Sequence, residues 1–183
     1  MLAALKIEKR LSMKRFTTGS RTIARGRSAA IAAVALSFGV SAASAASLTR
    51  SMEVNGAPAA VWSAIGAFCA IKDWLPPVGI CIEDGKTPPT RTLVTKDGKA
   101  TFVELQTARS DAKHSYSYVF ISSPLPVTRY TSTIEVVAKG PGVSTVTWSS
   151  TYTPDAGKEK DAKDALSGIY DAGLNAIKAK LAK

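Results

Sequence analysis

The chain holds one histidine and two cysteines in 183 residues. An ordinary zinc site draws three or four ligands from those types, so no metal is expected. The lone His114 opens a strand beside Lys113 and reads as a surface residue. There is no Gly-x-Ser-x-Gly nucleophile elbow, and one poorly placed histidine supports no Ser–His–Asp set. No glycine-rich phosphate loop follows a strand, so no nucleotide or other cofactor is called for. No apolar run approaches the roughly 20 residues needed to cross a bilayer. This poverty of reactive groups favours binding over catalysis.

The N-terminus has the layout of a secretory signal peptide. Eight basic residues (Lys6, Lys9, Arg10, Lys14, Arg15, Arg21, Arg25 and Arg27) stand against Glu8 alone. An uncharged run rich in Ala, Val, Ile and Leu follows over residues 28–40. Then come small residues in which Ala43-Ser44-Ala45 fits the small-x-small cleavage pattern. Residues 1–45 are therefore expected to be a signal cut after Ala45, with Ala46 as the alternative. Met13-Lys14-Arg15 would open a signal of more ordinary length. No Arg-Arg pair is present, which favours the general secretory route over the twin-arginine one. The apolar run is too short for an uncleaved anchor. The expected product is a periplasmic protein, not embedded in the membrane, formed by one domain over residues 46–183.

The net charge of +10 belongs mostly to the signal. Beyond residue 45 there remain 16 basic and 13 acidic residues. So near a balance gives nucleic acid no electrostatic footprint. In an oxidising compartment the even pair Cys69 and Cys81 is expected to form a structural disulfide across the Trp74-Leu75-Pro76-Pro77 segment. A redox role would more usually come with Cys-x-x-Cys spacing.

Residues 48–55 alternate as a strand. Asn55-Gly56 ends it, and Pro58 suits the first turn of a helix carrying Val61, Trp62, Ile65 and Phe68. A short helical turn over residues 70–74 stops at Pro76-Pro77. No strand is assigned between there and Thr90. Residues 90–95 and 100–107 flank Asp97-Gly98, a signal for a two-residue type I′ hairpin. That pairing sets Arg91 opposite Glu104 and Leu93 opposite Phe102, opposite charges facing across the ladder. Further strands cover residues 114–121, with Tyr116, Tyr118 and Phe120 on one face, 128–138 and 143–152. A helix over residues 158–181 closes the chain, its apolar stripe including Leu166, Ile169, Tyr170, Gly173, Leu174 and Ile177. The expected fold is α+β, a curved antiparallel sheet with one long helix covering its inner face.

Several phrases in this order resemble the START-like helix-grip (SRPBCC) superfamily, in its polyketide cyclase/dehydrase and lipid-transport branch. They are residues 57–62, the FCAIKDWLP stretch ending at Pro76, Arg91-Thr92-Leu93, Phe102-Val103-Glu104, Tyr116-Ser117-Tyr118, Pro124-Leu125-Pro126, Tyr130, Val146-Thr147-Trp148 and residues 168–174. The resemblance implies a hydrophobic pocket under the C-terminal helix. It implies no single reaction: relatives bind lipids, hormones or polyketides, some cyclise them, and a few exported ones are thought to assist periplasmic oxidation systems.

Each candidate site residue has a structural reading beside the functional one. Arg91 and Glu104 either face a cavity, where they would orient a ligand or move a proton, or face solvent as an ordinary cross-strand pair. Phe102 shares their face, while Val94, Val103 and Leu105 make the other face apolar too. Trp62, Trp74, Tyr116, Tyr118, Tyr130 and Trp148 are core packing or a pocket wall whose tyrosine hydroxyls supply polar tips. Trp74 with Pro76-Pro77 shapes a pocket mouth or plugs it. The leading expectation is a carrier for a small hydrophobic molecule. The alternatives are a polyketide cyclase/dehydratase-like enzyme using Glu104 and Arg91, and an accessory protein whose partner is a periplasmic enzyme.

Overall fold

The computed structural model describes residues 44–182. The expected signal over residues 1–45 lies, apart from Ser44 and Ala45, outside the described residues. Seven antiparallel strands form one sheet in the order β1-β7-β6-β5-β4-β3-β2. They are β1 (Ala46–Asn55), β2 (Val78–Glu83), β3 (Thr90–Thr95), β4 (Thr101–Ser110), β5 (Ser115–Ser122), β6 (Val127–Gly140) and β7 (Val143–Pro154). Two short helices, α1 (Pro58–Ile65) and α2 (Ile71–Trp74), follow β1, and a long α3 (Glu159–Lys180) ends the chain. This is the expected α+β helix-grip arrangement. Among the described residues, no helix is long and apolar enough to cross a membrane.

The period-two patterns become the sheet's inner face. Tyr116 and Tyr118 of β5, Ile134 and Val136 of β6, and Val146 and Trp148 of β7 are buried against the helices. α3 turns Ala162, Leu166, Tyr170, Gly173, Leu174 and Ile177 inward at three- and four-residue steps. Glu159 and Asp161 in its first turn and Lys178 and Lys180 in its last complement the helix dipole. Pro58 occupies the first turn of α1, where its missing N–H costs nothing.

Two sequence readings are corrected. Val78–Glu83 is an edge strand, paired to β3 with Cys81 opposite Leu93. Its pattern hid it, because Ile80 and Ile82 point outward and stay exposed, and Gly79 lowers its strand propensity. The β3–β4 turn is not type I′. Gly98 alone is left-handed, at φ +70°, and Asp97 is not. The Gly98 N–H donates to the Thr95 carbonyl at 2.9 Å, and the Thr95 N–H to the Ala100 carbonyl at 3.0 Å, closing a four-residue loop. Asp97 caps it by accepting from the Thr95 hydroxyl and the Lys99 N–H. Both loops keep the same register, so Arg91 still faces Glu104 and Leu93 faces Phe102.

Cys69 and Cys81 are joined, with Cα atoms 5.5 Å apart. The bond ties the turn before α2 to the edge strand. In β6, Arg129 and Tyr130 together oppose the single residue Tyr152. Arg129 takes a left-handed φ of +51° at this bulge, which returns Tyr130 to the inner face.

Candidate functional site

Arg91 and Glu104 are both buried, at 0% and 3% exposure, and the inward alternative is the one realised. The Arg91 Nε donates to Glu104 Oε2 at 2.6 Å. Its Nη1 donates to the Phe68 carbonyl, and its guanidinium lies 4.0 Å from the Phe68 ring centre. Burial opposes the Arg91 charge, but Glu104 and the neighbouring Tyr116 and Tyr118 outweigh it and hold the guanidinium above its ordinary value. Burial likewise pushes the Glu104 carboxyl up, and Arg91 pulls it only part of the way back. A guanidinium does not lose its proton in proteins, so Glu104 is held as the counter-charge.

Beside this pair lies a cavity of about 170 Å³ between the sheet and α3. α2 and the segment after it supply Ile71, Leu75 and Pro77. The sheet supplies Leu93, Phe102, Glu104, Tyr118, Tyr130 and Trp148, and α3 supplies Leu166, Ile169 and Tyr170. Among the described residues of the wall, Glu104 carries the one carboxyl group. Its Oε2 is taken by Arg91, while Oε1 has no hydrogen-bond partner among the described residues.

The hydroxyls of Tyr118, Tyr130 and Tyr170 and the Trp148 indole N–H are bonded to one another and to Ser132. Tyr130 and Tyr170 hydroxyls are 2.6 Å apart, and Tyr170 lies 3.1 Å from the Ser132 hydroxyl. The Trp148 indole N–H donates to Ser132 at 3.0 Å and to the Tyr118 hydroxyl at 3.2 Å. Tyr118 and Tyr130 hydroxyls are separated by 3.5 Å. Rings stack on both sides, Trp148 on Tyr170 at 4.2 Å and Phe120 on Tyr130 at 3.8 Å. Burial pushes all three tyrosine hydroxyls above the usual phenol range, so each stays protonated.

Five of the nine residues singled out from the sequence, Phe102, Glu104, Tyr118, Tyr130 and Trp148, stand together on the cavity wall. Four do not. Arg91 sits behind Glu104. Tyr116 lies further along β5, between Trp62 and Phe68 at ring separations of 5.9 and 5.5 Å. Trp62 is further off still, its indole N–H donating to Asp111 at 2.8 Å beneath the Arg109 guanidinium. Trp74 is buried edge-on against Trp148 at 5.5 Å and is a structural plug. For Arg91, Tyr116 and Trp62 the reason is shared: the inner face is longer than the cavity, and α1 with the turn at Phe68 fills its far end. His114 occupies a left-handed turn position and packs edge-on to Trp62.

Sequence reasoning missed Ser132 and Tyr170. Tyr170 had a signal, as the one aromatic residue in the apolar stripe of α3. Ser132 had none, since a serine on a strand is ordinary until its neighbours are known.

Comparison with known proteins gives a consistent fold. The family described as polyketide cyclase/dehydrase and lipid transport matches residues 45–182. The protein XoxI of Bacillus cereus is 35% identical, with a TM-score of 0.70 over 74% of this chain and 95% of its own. An uncharacterised protein of Bacillus thuringiensis is 34% identical, with a TM-score of 0.71 over 75% of this chain and 100% of its own. Truncated norcoclaurine synthase of Thalictrum flavum, at 18% identity and a TM-score of 0.62, covers 76% of this chain and 95% of its own, and shares the fold. No curated protein matches the sequence.

Proposed function

The chain belongs to the polyketide cyclase/dehydrase and lipid-transport family, and from that premise we propose that it is an exported binding protein for a small hydrophobic molecule. The observation that carries the reading is the wall of apolar and aromatic side chains around about 170 Å³, relieved by one carboxylate. Ligand pockets have this composition: apolar lining for affinity and a few placed polar groups for orientation. The volume is below the several hundred Å³ usual for larger ligands, which favours a compact molecule over a long lipid chain. The signal-like residues 1–45 and the Cys69–Cys81 bond together support a periplasmic setting.

Native mass spectrometry of the protein recovered from its own periplasm, followed by solvent extraction, tests the reading. A bound small apolar compound is expected. Re-adding it at a hundredfold excess over Kd should raise stability by about 2.7 kcal/mol. An empty protein that also shows no thermal shift across a panel of small apolar compounds would overturn the proposal. N-terminal sequencing of the same sample tests export, with Ala46 expected as the first residue.

The raised carboxyl of Glu104 on the cavity wall favours one second reading, a cyclase or dehydratase with Glu104 moving the proton. Glu104→Gln separates the two. A carrier returns the extracted compound unchanged with either residue, whereas an enzyme converts it and loses that turnover in the variant.

A further inference from the structure

The directions of the hydrogen bonds among the tyrosine hydroxyls of the cavity wall follow from one fixed point. The Ser132 hydroxyl lies 2.9 Å from the Ser149 carbonyl, which can only accept. The single hydrogen of Ser132 is therefore committed there. In its contact with Tyr170 at 3.1 Å, Ser132 must accept and Tyr170 must donate. With the Tyr170 hydrogen spent, the 2.6 Å contact requires Tyr130 to donate to Tyr170. With the Tyr130 hydrogen spent, only Tyr118 is able to donate across the last contact. That contact is 3.5 Å, well beyond the 2.7–2.8 Å of a good O–H···O bond. The Trp148 indole has no bearing on this order, because it only donates.

Two polar functions are thus left for an occupant. The Tyr118 hydroxyl has a hydrogen without a good acceptor, and Glu104 Oε1 is an acceptor without a donor. Glu104 and Tyr118 occupy diagonal positions on paired strands, Glu104 opposite Phe120 and Gln106 opposite Tyr118, so both reach the same space. One hydroxyl group satisfies both, donating to Glu104 and accepting from Tyr118. A ketone leaves Glu104 unpaired, a carboxylate meets it with like charge, and a hydrocarbon leaves both unpaired. The volume suits a single ring: an apolar cavity of about 150 Å³ holds benzene, and this one is about 170 Å³.

Resting on the binding reading above, we propose that the cavity takes a neutral molecule of single-ring size bearing a hydroxyl group, held between Glu104 Oε1 and the Tyr118 hydroxyl.

The test is titration calorimetry of the disulfide-intact exported protein with phenol, cyclohexanol, toluene and benzoate. Phenol and cyclohexanol are expected to bind at least tenfold more tightly than toluene, which matches phenol in size and lacks the hydroxyl. Benzoate is expected not to bind. Tyr118→Phe keeps the ring and removes the donor, so the preference for phenol over toluene should fall severalfold while toluene affinity holds. The wild-type comparison stands even if that variant misfolds. Equal binding of phenol and toluene, or benzoate binding as tightly as phenol, overturns the hydroxyl proposal and leaves the binding function intact. Failure of all four probes overturns this inference, and the ligand screen above then decides the wider reading separately.

Discussion

Arg91 and Glu104 face each other across β3 and β4, joined at 2.6 Å, with side chains 0% and 5% exposed. A pair so placed is costly to break from one side. Its ions have left water, and their mutual contact, the Phe68 carbonyl and the Phe68 ring under the guanidinium offset that loss. The buried Arg91 Nη2 has no hydrogen-bond partner among the described residues, which adds to the cost of burying the pair. Glu104 also carries the one carboxyl group among the described residues of the cavity wall, which joins the stability of the sheet to the chemistry of the pocket.

Removing one partner of this pair should destabilise strongly. Arg91→Met or Glu104→Leu is expected to cost about 3–5 kcal/mol, because each leaves a lone buried charge. The double variant should cost clearly less than the sum of the two. Urea unfolding of the four proteins measures the coupling, and strict additivity would show that the pair does not act as a unit.

The disulfide should contribute about 3 kcal/mol. Cys69 and Cys81 are 12 residues apart, and closing a loop of roughly that size removes that much chain entropy from the unfolded state. Cys69→Ala/Cys81→Ala, compared with the oxidised wild type by denaturant titration, checks the figure. Two thiols alkylated in the unreduced, denatured protein would show that the bond does not form.

Two glycines of α3 should respond with opposite signs. A Cβ on Gly173 would come within 2.9 Å of Trp148, 3.1 Å of Trp74 and 3.2 Å of Leu75. Overpacking of this kind costs about 1–3 kcal/mol, more than the gain in helix propensity. A Cβ on Gly168 meets nothing within 4 Å, so Gly168→Ala should stabilise by about 0.5–1 kcal/mol. Thermal unfolding of the two variants distinguishes them, and matching signs would refute the close approach of α3 to the tryptophans.

Asp111 should titrate below the ordinary carboxylate value of 3.8. The Arg109 guanidinium comes first in holding it down, and the Trp62 indole N–H second. A depressed folded-state value means that the group's contribution to stability is present above 3.8 and is lost as the pH falls through the lower value. The Trp62 indole N–H resonance should report this directly, shifting with a midpoint below 3.8. A midpoint at or above 3.8 would mean that the Arg109–Asp111–Trp62 cluster does not hold in solution.

Much of the fold was readable because the elements that form it carry strong periodic signals. The inner-facing Tyr116 and Tyr118, the stripe of α3 and the 91–104 register all follow from spacing alone. Where the reading failed, a local pattern had two solutions. Asp97-Gly98 fits two hairpin loops, and only the hydrogen bonds closing Thr95 onto Ala100 choose between them. The strand of Ile80 and Ile82 turns its apolar side to solvent, so periodicity pointed nowhere.

The site shows the same division more sharply. Sequence by itself determined the residue types available: few nucleophiles, no metal set, one ion pair in register, and an excess of aromatic residues on one sheet face. It also determined the pairing of Cys69 with Cys81, since no other partner exists in the chain. Tertiary structure alone decided which aromatic residues border empty space. Trp74 and Trp148 have the same chemistry and are both buried against α3, yet only Trp148 borders the cavity. It alone decided that Glu104 presents one free oxygen and that the Tyr118 hydroxyl is left to donate. Those outcomes depend on atoms far apart in sequence meeting within about 3 Å, a distance that no spacing along the chain encodes.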